Sequence, residues 1–270
     1  MNNLLAQPMK LHVDEVVVLS KSLGIESLPS VLSVRTRYRT VDERESALGR
    51  AKQNLISRNV IDDAEVCPEV ADLLQAMQRP NRELAMRLVT PDGTARISVV
   101  RRGAVAVLAR RVNDNVSVHD VAAGTDLRNI VTALLAELPK SPPAVVESVG
   151  GSLVEMSECL SGTHDAVALA DRVRTLGVST KVAVSVGAAL SNRLAFAEIV
   201  YHALARGEDM IRRVPAAAAV FYTRRGRLVA VPSVNQVGQA WVTLKAGSDH
   251  AFSQAISQLI ELSAERWEGH

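Results

Sequence analysis

One phrase of this 270-residue chain is written twice. Arg101-Arg102-Gly103 opens a stretch that runs to Ala123-Gly124-Thr125-Asp126, and Arg224-Arg225-Gly226 opens another that runs to Ala246-Gly247-Ser248-Asp249. The first glycines stand 123 positions apart (226 − 103), and so do the second (247 − 124), so the copies align without a gap. Each holds a glycine turn, an apolar run (Val105 to Leu108; Leu228 to Val231) and a second apolar strand (Val116, Val118, Val121; Trp241, Val242, Leu244). Each then steps through Gly-Thr/Ser-Asp into an amphipathic helix. Two units of one supersecondary type predict halves that share one sheet and one core. The expected fold class is α+β: a central antiparallel β-sheet flanked by helices, quasi-two-fold symmetric through an internal duplication.

The rest of the chain fits around that frame. Met9 to Val13 reads as a strand, with Asp14 capping a helix that ends at Gly24. Val31 to Arg35 reads as extended, Asp42 opens a second helix, and Pro68 starts a third. Leu84 to Val89 alternates, turns at Pro91-Asp92-Gly93, and begins a four-stranded meander. Asp126 caps the helix Leu127 to Leu138. The whole of 1–270 is expected as a single domain, with pseudo-repeats at 9–140 and 148–267 joined by a linker at 140–147 around Pro142-Pro143. In the second half Ser152 caps a short helix, and His164 to Leu176 with Thr180 to Leu190 form a helical hairpin about Gly177. Ala216 to Ala219 favours helix by propensity but strand by its place in the repeat, and the strand reading is preferred. The last helix is expected over Ala251 to Trp267. The halves differ most at Ala203 to Arg213, a charged excursion where the first half has a tight turn.

Composition narrows the function. Net charge is +2, too small to demand a polyanionic partner, and the arginines fall in small scattered groups such as Arg35, Arg37 and Arg39. Aromatics are 3% of the chain, few for stacking on single-stranded nucleic acid. Two cysteines, Cys67 and Cys159, lack a CxxC or His partner, which argues against zinc and suits a reducing cytoplasm. No run approaches the about 20 apolar residues of a membrane span, and the first ten residues do not read as a signal peptide.

Catalytic patterns are missing. There is no GxSxG elbow, Walker motif or GxGxxG. His250 neighbours Asp249, but adjacent helical residues point apart. The other histidines (His12, His119, His164, His202, His270) are scattered. The reading is a binding protein without catalytic residues, cofactor or metal. A rival reading makes it an anion- or nucleic-acid-binding regulatory module that uses the paired arginines at 101–102 and 224–225.

Set out in this order, the motifs resemble the EspG family of mycobacterial type VII (ESX) secretion-associated proteins. Leu23-Gly24-Ile25-Glu26-Ser27-Leu28-Pro29 resembles the family's LG-x-x-x-LP segment. Arg79-Pro80-Asn81-Arg82-Glu83-Leu84 resembles its RP-x-R-E-L lead into the sheet, and Arg101-Arg102-Gly103 with Val107-Leu108-Ala109-Arg110 its RRG-x-x-x-VLAR hairpin. Arg225-Gly226-Arg227 and the closing Gly247-Ser248-Asp249 plus helix resemble its C-terminal half. One departure is Ser30, where members often carry Trp. The resemblance implies a cytoplasmic, non-enzymatic chaperone that binds the PPE tip of a PE–PPE heterodimer, with no nucleic acid and no membrane insertion. It places the partner surface at Pro91, Asp92, Gly93 and Thr94, and on the helical hairpin His164 to Leu190 with the following Ser191 to Arg193, where Val182, Val186, Leu190, Asn192 and Arg193 are the contact candidates. Val178, Val182, Val184, Val186 and Leu190 cover more than one face of a short helix, which is therefore either buried or shows apolar surface to a partner. Sheet edges and the Ala203 to Arg213 excursion could support a homodimer of the free protein.

Overall fold

The computed structural model describes residues 8–35, 38–63, 65–208 and 210–268. Arg37 of the basic groups, Asp209 of the charged excursion, and His270 lie outside the described residues. The chain divides into two compact units, Met1–Met86 with Thr94–Ala133 and Arg87–Gly93 with Leu134–Gly269.

In the first unit, β1 (Met9–His12) runs directly into α1 (Val13–Ser22). The cap is His12, not Asp14: its Nδ1 accepts from Asp14 N at 3.2 Å, while Glu15 Oε2 accepts from His12 N at 2.8 Å. Asp14 falls in the first turn instead, where its charge suits the helix dipole. Gly24 closes the helix at φ 64°. A 3-10 turn over Ser30–Leu32 replaces the extended run expected from Val31. Its cause is remote in sequence. Arg96 donates to Val31 O at 3.3 Å, and Arg111 donates to Leu32 O at 2.9 Å and to Ser33 O.

Next come α2 (Val41–Ser57), capped by Thr40, the short pair β2 (Ile61–Asp62) and β3 (Glu65–Val66), and α3 (Pro68–Gln78). The meander follows as β4 (Arg82–Thr90), β5 (Gly93–Arg102), β6 (Val105–Val112) and β7 (Asn115–Asp120), and then α4 (Leu127–Ala136). The strand order is β1-β7-β6-β5-β4. The β1–β7, β5–β6 and β6–β7 ladders are antiparallel, with Ala95 opposite Val112 and Met9 opposite Val118. Strand alternation sends Val100, Val107, Ala109 and Val118 to one side, where they share a core with Val16 and Leu19 of α1 and Leu74 and Met77 of α3. Full burial of each valine, leucine or methionine among them contributes about 1.5–3 kcal/mol.

In the second unit the Pro-Pro stretch lies against a strand. Arg227 N donates to Pro142 O at 2.7 Å, and Ala144 N donates to Arg227 O at 2.9 Å. β8 (Val149–Ser152) was not expected, because Gly150-Gly151 carries no strand signal. Trp241 supplies the missing side chain: a Cβ on Gly150 would stand 2.9 Å from its Nε1. α5 (Leu153–Leu160) has the expected Ser152 cap, closed as a capping box by Glu155. α6 (Ala166–Arg174) and α7 (Thr180–Leu190) form the expected hairpin. They approach closely at Gly187, where a Cβ would lie 2.7 Å from Ala166 O and Ala170 N.

β9 (Arg193–Leu204) and β10 (Ile211–Arg213) pair with Ile211 opposite Leu204, so the charged excursion is a hairpin. β11 (Ala218–Thr223), β12 (Gly226–Val234), β13 (Ala240–Ala246) and α8 (Asp249–Glu261) complete the unit. Of the four alanines, Ala218 and Ala219 are strand and Ala216 and Ala217 are not. The β11–β12 ladder ends at Ala219 opposite Ala230, two residues before Pro232, which has no N–H to give. The order is β4-β9-β11-β12-β13-β8, with β10 also on β9. α8 packs on β12, β11 and β9. α6 and α7 build a core with Leu228, Ala230, Val242 and Leu244. The last helix ends at Glu261, not at Trp267, because the chain folds back. The Tyr201 hydroxyl donates to Glu265 O at 3.0 Å, and Trp267, 1% exposed, meets the Tyr201 ring at 6.3 Å.

Each unit therefore contains strand, strand, strand, helix in the order of the repeated phrase, but not in its gapless register. The hairpin turns are Gly103-Ala104 and Arg224-Arg225, closed by Arg102 opposite Val105 and Thr223 opposite Gly226, an offset of 121 (223 − 102). The residues preceding the helices are Asp126 and Ser248, an offset of 122 (248 − 126).

Candidate interaction surface

The β4–β5 turn carries the first group of expected contact residues. Pro91, Asp92 and Gly93 are exposed and Thr94 is half-buried. Gly93 takes φ 132°, and Thr90 Oγ1 donates to Gly93 O at 3.3 Å, which holds the turn closed. Within the second unit β4 neighbours β9, and Arg87 lies 3.6 Å from Glu198. Antiparallel neighbours run opposite ways, so the end of β4 and the start of β9 share one end of the sheet. Asn192 and Arg193 thus stand at the same end as Pro91, Asp92 and Gly93.

The α7 residues divide. Val182, Val186 and Leu190 lie inside the core, with Leu190 at 0% exposure. They meet Leu169 and Val173 of α6 rather than solvent. The outward apolar groups here are Val184, 54% exposed, and Leu194, 49% exposed. Neither Leu194 nor the Arg87–Glu198 pair was singled out in the sequence. The only signal was opposite charges in mid-strand, which means little until the strands are known to be neighbours.

Asn192 is exposed and finishes α7, donating through Nδ2 to Ser191 Oγ at 3.0 Å and accepting from Arg224 N at 3.4 Å. Arg193 is a brace. Its guanidinium donates to Leu160 O at 3.1 Å and Thr163 O at 3.0 Å, tying the α5–α6 loop to the first residue of β9. Burial lowers its pKa from the ordinary arginine value.

Of the paired arginines in the rival reading, Arg101 and Arg102 bind carbonyls of their own unit, as do Arg111 and Arg227 of the other basic groups. Arg101 donates to Gly103 O at 3.1 Å, Arg102 to Gln75 O at 2.6 Å and Arg111 to Asn113 O at 2.6 Å. Arg227 is buried and bound to Gly247 O at 2.6 Å and to Asp249 at 2.5 Å. These guanidinium groups are each bound to protein carbonyls, and the anion-binding alternative is not supported. Among the described residues no three His, Cys, Asp or Glu side chains are grouped to hold a metal ion, and no helix is long and apolar enough to cross a membrane.

An antiparallel sheet with helices packed on it, and an exposed turn at the end of the sheet where β9 begins, define a scaffold that offers surface. A family model described as the EspG family matches residues 12–258, and the chain belongs to the EspG family. Its fold is similar to that of the Mycobacterium tuberculosis type VII secretion system chaperone EspG5, solved in complex with a PE25–PPE41 dimer. The TM-score is 0.82 at 17% identity, covering 98% of this chain and 100% of that one. A putative adenylate cyclase from Bacillus halodurans, at 8% identity over 79% of this chain and 84% of its own, has a TM-score of only 0.15 and carries no weight. A search of curated proteins finds no match.

Proposed function

We propose that this protein is a type VII secretion chaperone that binds the PPE tip of a PE–PPE heterodimer, keeps the pair soluble and accompanies it to an ESX machinery. The observation that carries the reading is the family match over residues 12–258, joined to a fold shared along nearly the whole chain with EspG5, a chaperone solved with its PE–PPE dimer. The protein acts in the cytoplasm and catalyses no reaction. It functions as one chaperone unit, built from segments 9–140 and 148–267 with 140–147 joining them.

The client docks on the β4–β5 turn, Pro91 to Thr94, and on the corner where α7 passes into β9. Asp92 and Asn192 supply polar contacts there, and Val184 and Leu194 supply apolar area. Val182, Val186 and Leu190 act from beneath by fixing the shape of α7, and Arg193 acts by holding the α5–α6 loop. Mixed contacts of this kind suit a partner that must later be released.

The test is a titration of purified protein with a soluble PE–PPE pair from the same organism. Asp92→Arg puts the opposite charge on an exposed turn and should weaken binding about tenfold or more, because exposed charges act on recognition without disturbing the fold. Val184→Glu should weaken it as well. Unchanged affinity in both variants would remove this corner from the interface.

A further inference from the structure

The first unit holds a second concave surface, independent of the PE–PPE reading. The C-terminal half of α1 and the segment 25–35 enclose an open pocket of about 630 Å³. That is within the roughly 300–1,000 Å³ typical of ligand sites. Its floor is apolar, formed by Val17, Ile25, Leu28 and Val34. Its rim carries Lys21, Arg35 and Arg44 against a single carboxylate, Glu26. All three cations are exposed, and among the described residues none is engaged by a side-chain hydrogen bond or ion pair. The wall contains Ser20, whose buried hydroxyl has no hydrogen-bond partner among the described residues. A buried unsatisfied polar atom in a pocket wall calls for an explanation.

We infer that this pocket docks a linear acidic segment of a partner protein. One large apolar side chain sits on the floor, and flanking carboxylates meet Lys21, Arg35 and Arg44. Charge complementarity selects an acidic occupant, since among the described lining residues three cations without an ion pair face one acid. The hydroxyls of Ser27, Ser30 and Ser33 along the wall favour a peptide over a fatty carboxylate. A peptide backbone can bond to them at every residue, and an acyl chain cannot.

The full-length ¹⁵N-labelled protein is titrated at low salt with a capped pentapeptide, a leucine between two pairs of aspartates. Saturable shifts should appear in α1 and in the 25–35 segment. Replacing the peptide's leucine by serine should abolish them. The Lys21→Gln, Arg44→Gln double variant should weaken binding about tenfold, since each exposed pair contributes little alone. Ser30→Trp should fill the pocket and block binding; should that variant misfold, the double variant at two exposed positions decides the question. Three results overturn the proposal: no saturable shifts at the pocket, equal binding of the serine peptide, or binding of decanoate there when the peptide does not bind.

Discussion

Gly103 and Gly226 occupy matching places in the repeated phrase, yet their surroundings are unlike. A Cβ on Gly103 would meet nothing within 4 Å, whereas one on Gly226 would stand 2.8 Å from Ala144 N and Pro142 O. The second glycine pair divides in the same way. Gly124 has φ 99°, and an added Cβ would find only the Asn129 side chain at 3.8 Å. Gly247 has no positive φ, but its Cβ would stand 2.7 Å from the Arg227 carbonyl. In the first half the glycines are needed for backbone conformation. In the second they are needed mainly for close approach, because the chain from Pro142 to Ala144 and the crossing into α8 are both drawn onto Arg227. The same residue in the same sequence context answers two different physical demands.

Substitutions can break that contrast. Gly226→Ala combines a strained φ with a clash against backbone and should cost about 3 kcal/mol or more, while Gly103→Ala should cost about 1–2 kcal/mol, in urea unfolding. Equal losses would mean that the 142–144 segment is not held against β12. Arg227→Met comes next. It removes the bonds to Gly247 O and Asp249 from a buried guanidinium and should cost about 2–3 kcal/mol. Because side-chain exposure of Asp249 is 78%, its charge returns to water, and the loss should stay below that of breaking a fully buried pair. Gly247→Ala should cost about 1–3 kcal/mol, and Gly124→Ala should lose stability through its φ alone. A larger loss in Gly124→Ala than in Gly247→Ala would reverse the assignment of conformation to one half and contact to the other.

The smallest effect concerns pH. Burial first, and the charge of Arg213 across the β9–β10 hairpin second, hold the His202 pKa below its ordinary 6.5. The unfolded chain therefore takes up this proton at higher pH than the folded one does. The favourable contribution of neutral His202 is complete above 6.5 and is lost as pH falls through its lowered folded value. His202→Gln should flatten the decline in stability between pH 7 and 5, and an unchanged slope would show that other groups set it.

Much of the strand order could be read from the sequence, since glycine and Asn-Asp turns separate runs of period two in both halves. What escaped it depends on distant partners. The 3-10 turn at Ser30–Leu32 follows from Arg96 and Arg111 pulling on its carbonyls, and Gly150-Gly151 becomes a strand because Trp241 covers it. The last helix looked longer than it is because Trp267 is apolar, but its burial comes from folding back onto Tyr201. For the candidate surface, the exposed turn at Pro91–Gly93 follows directly from Pro-Asp-Gly. The α7 residues could not be assigned from their pattern, because an apolar helix looks the same whether it faces a core or a client.

The central claim is that the protein holds a PE–PPE pair as a chaperone. Its most direct test is co-expression with PE–PPE pairs of its own organism, followed by size-exclusion chromatography with light scattering. The account predicts one stable species containing one copy each of chaperone, PE and PPE, with the pair poorly soluble when expressed alone. If the chaperone elutes by itself beside every such pair, and the pairs are equally soluble without it, the account is wrong.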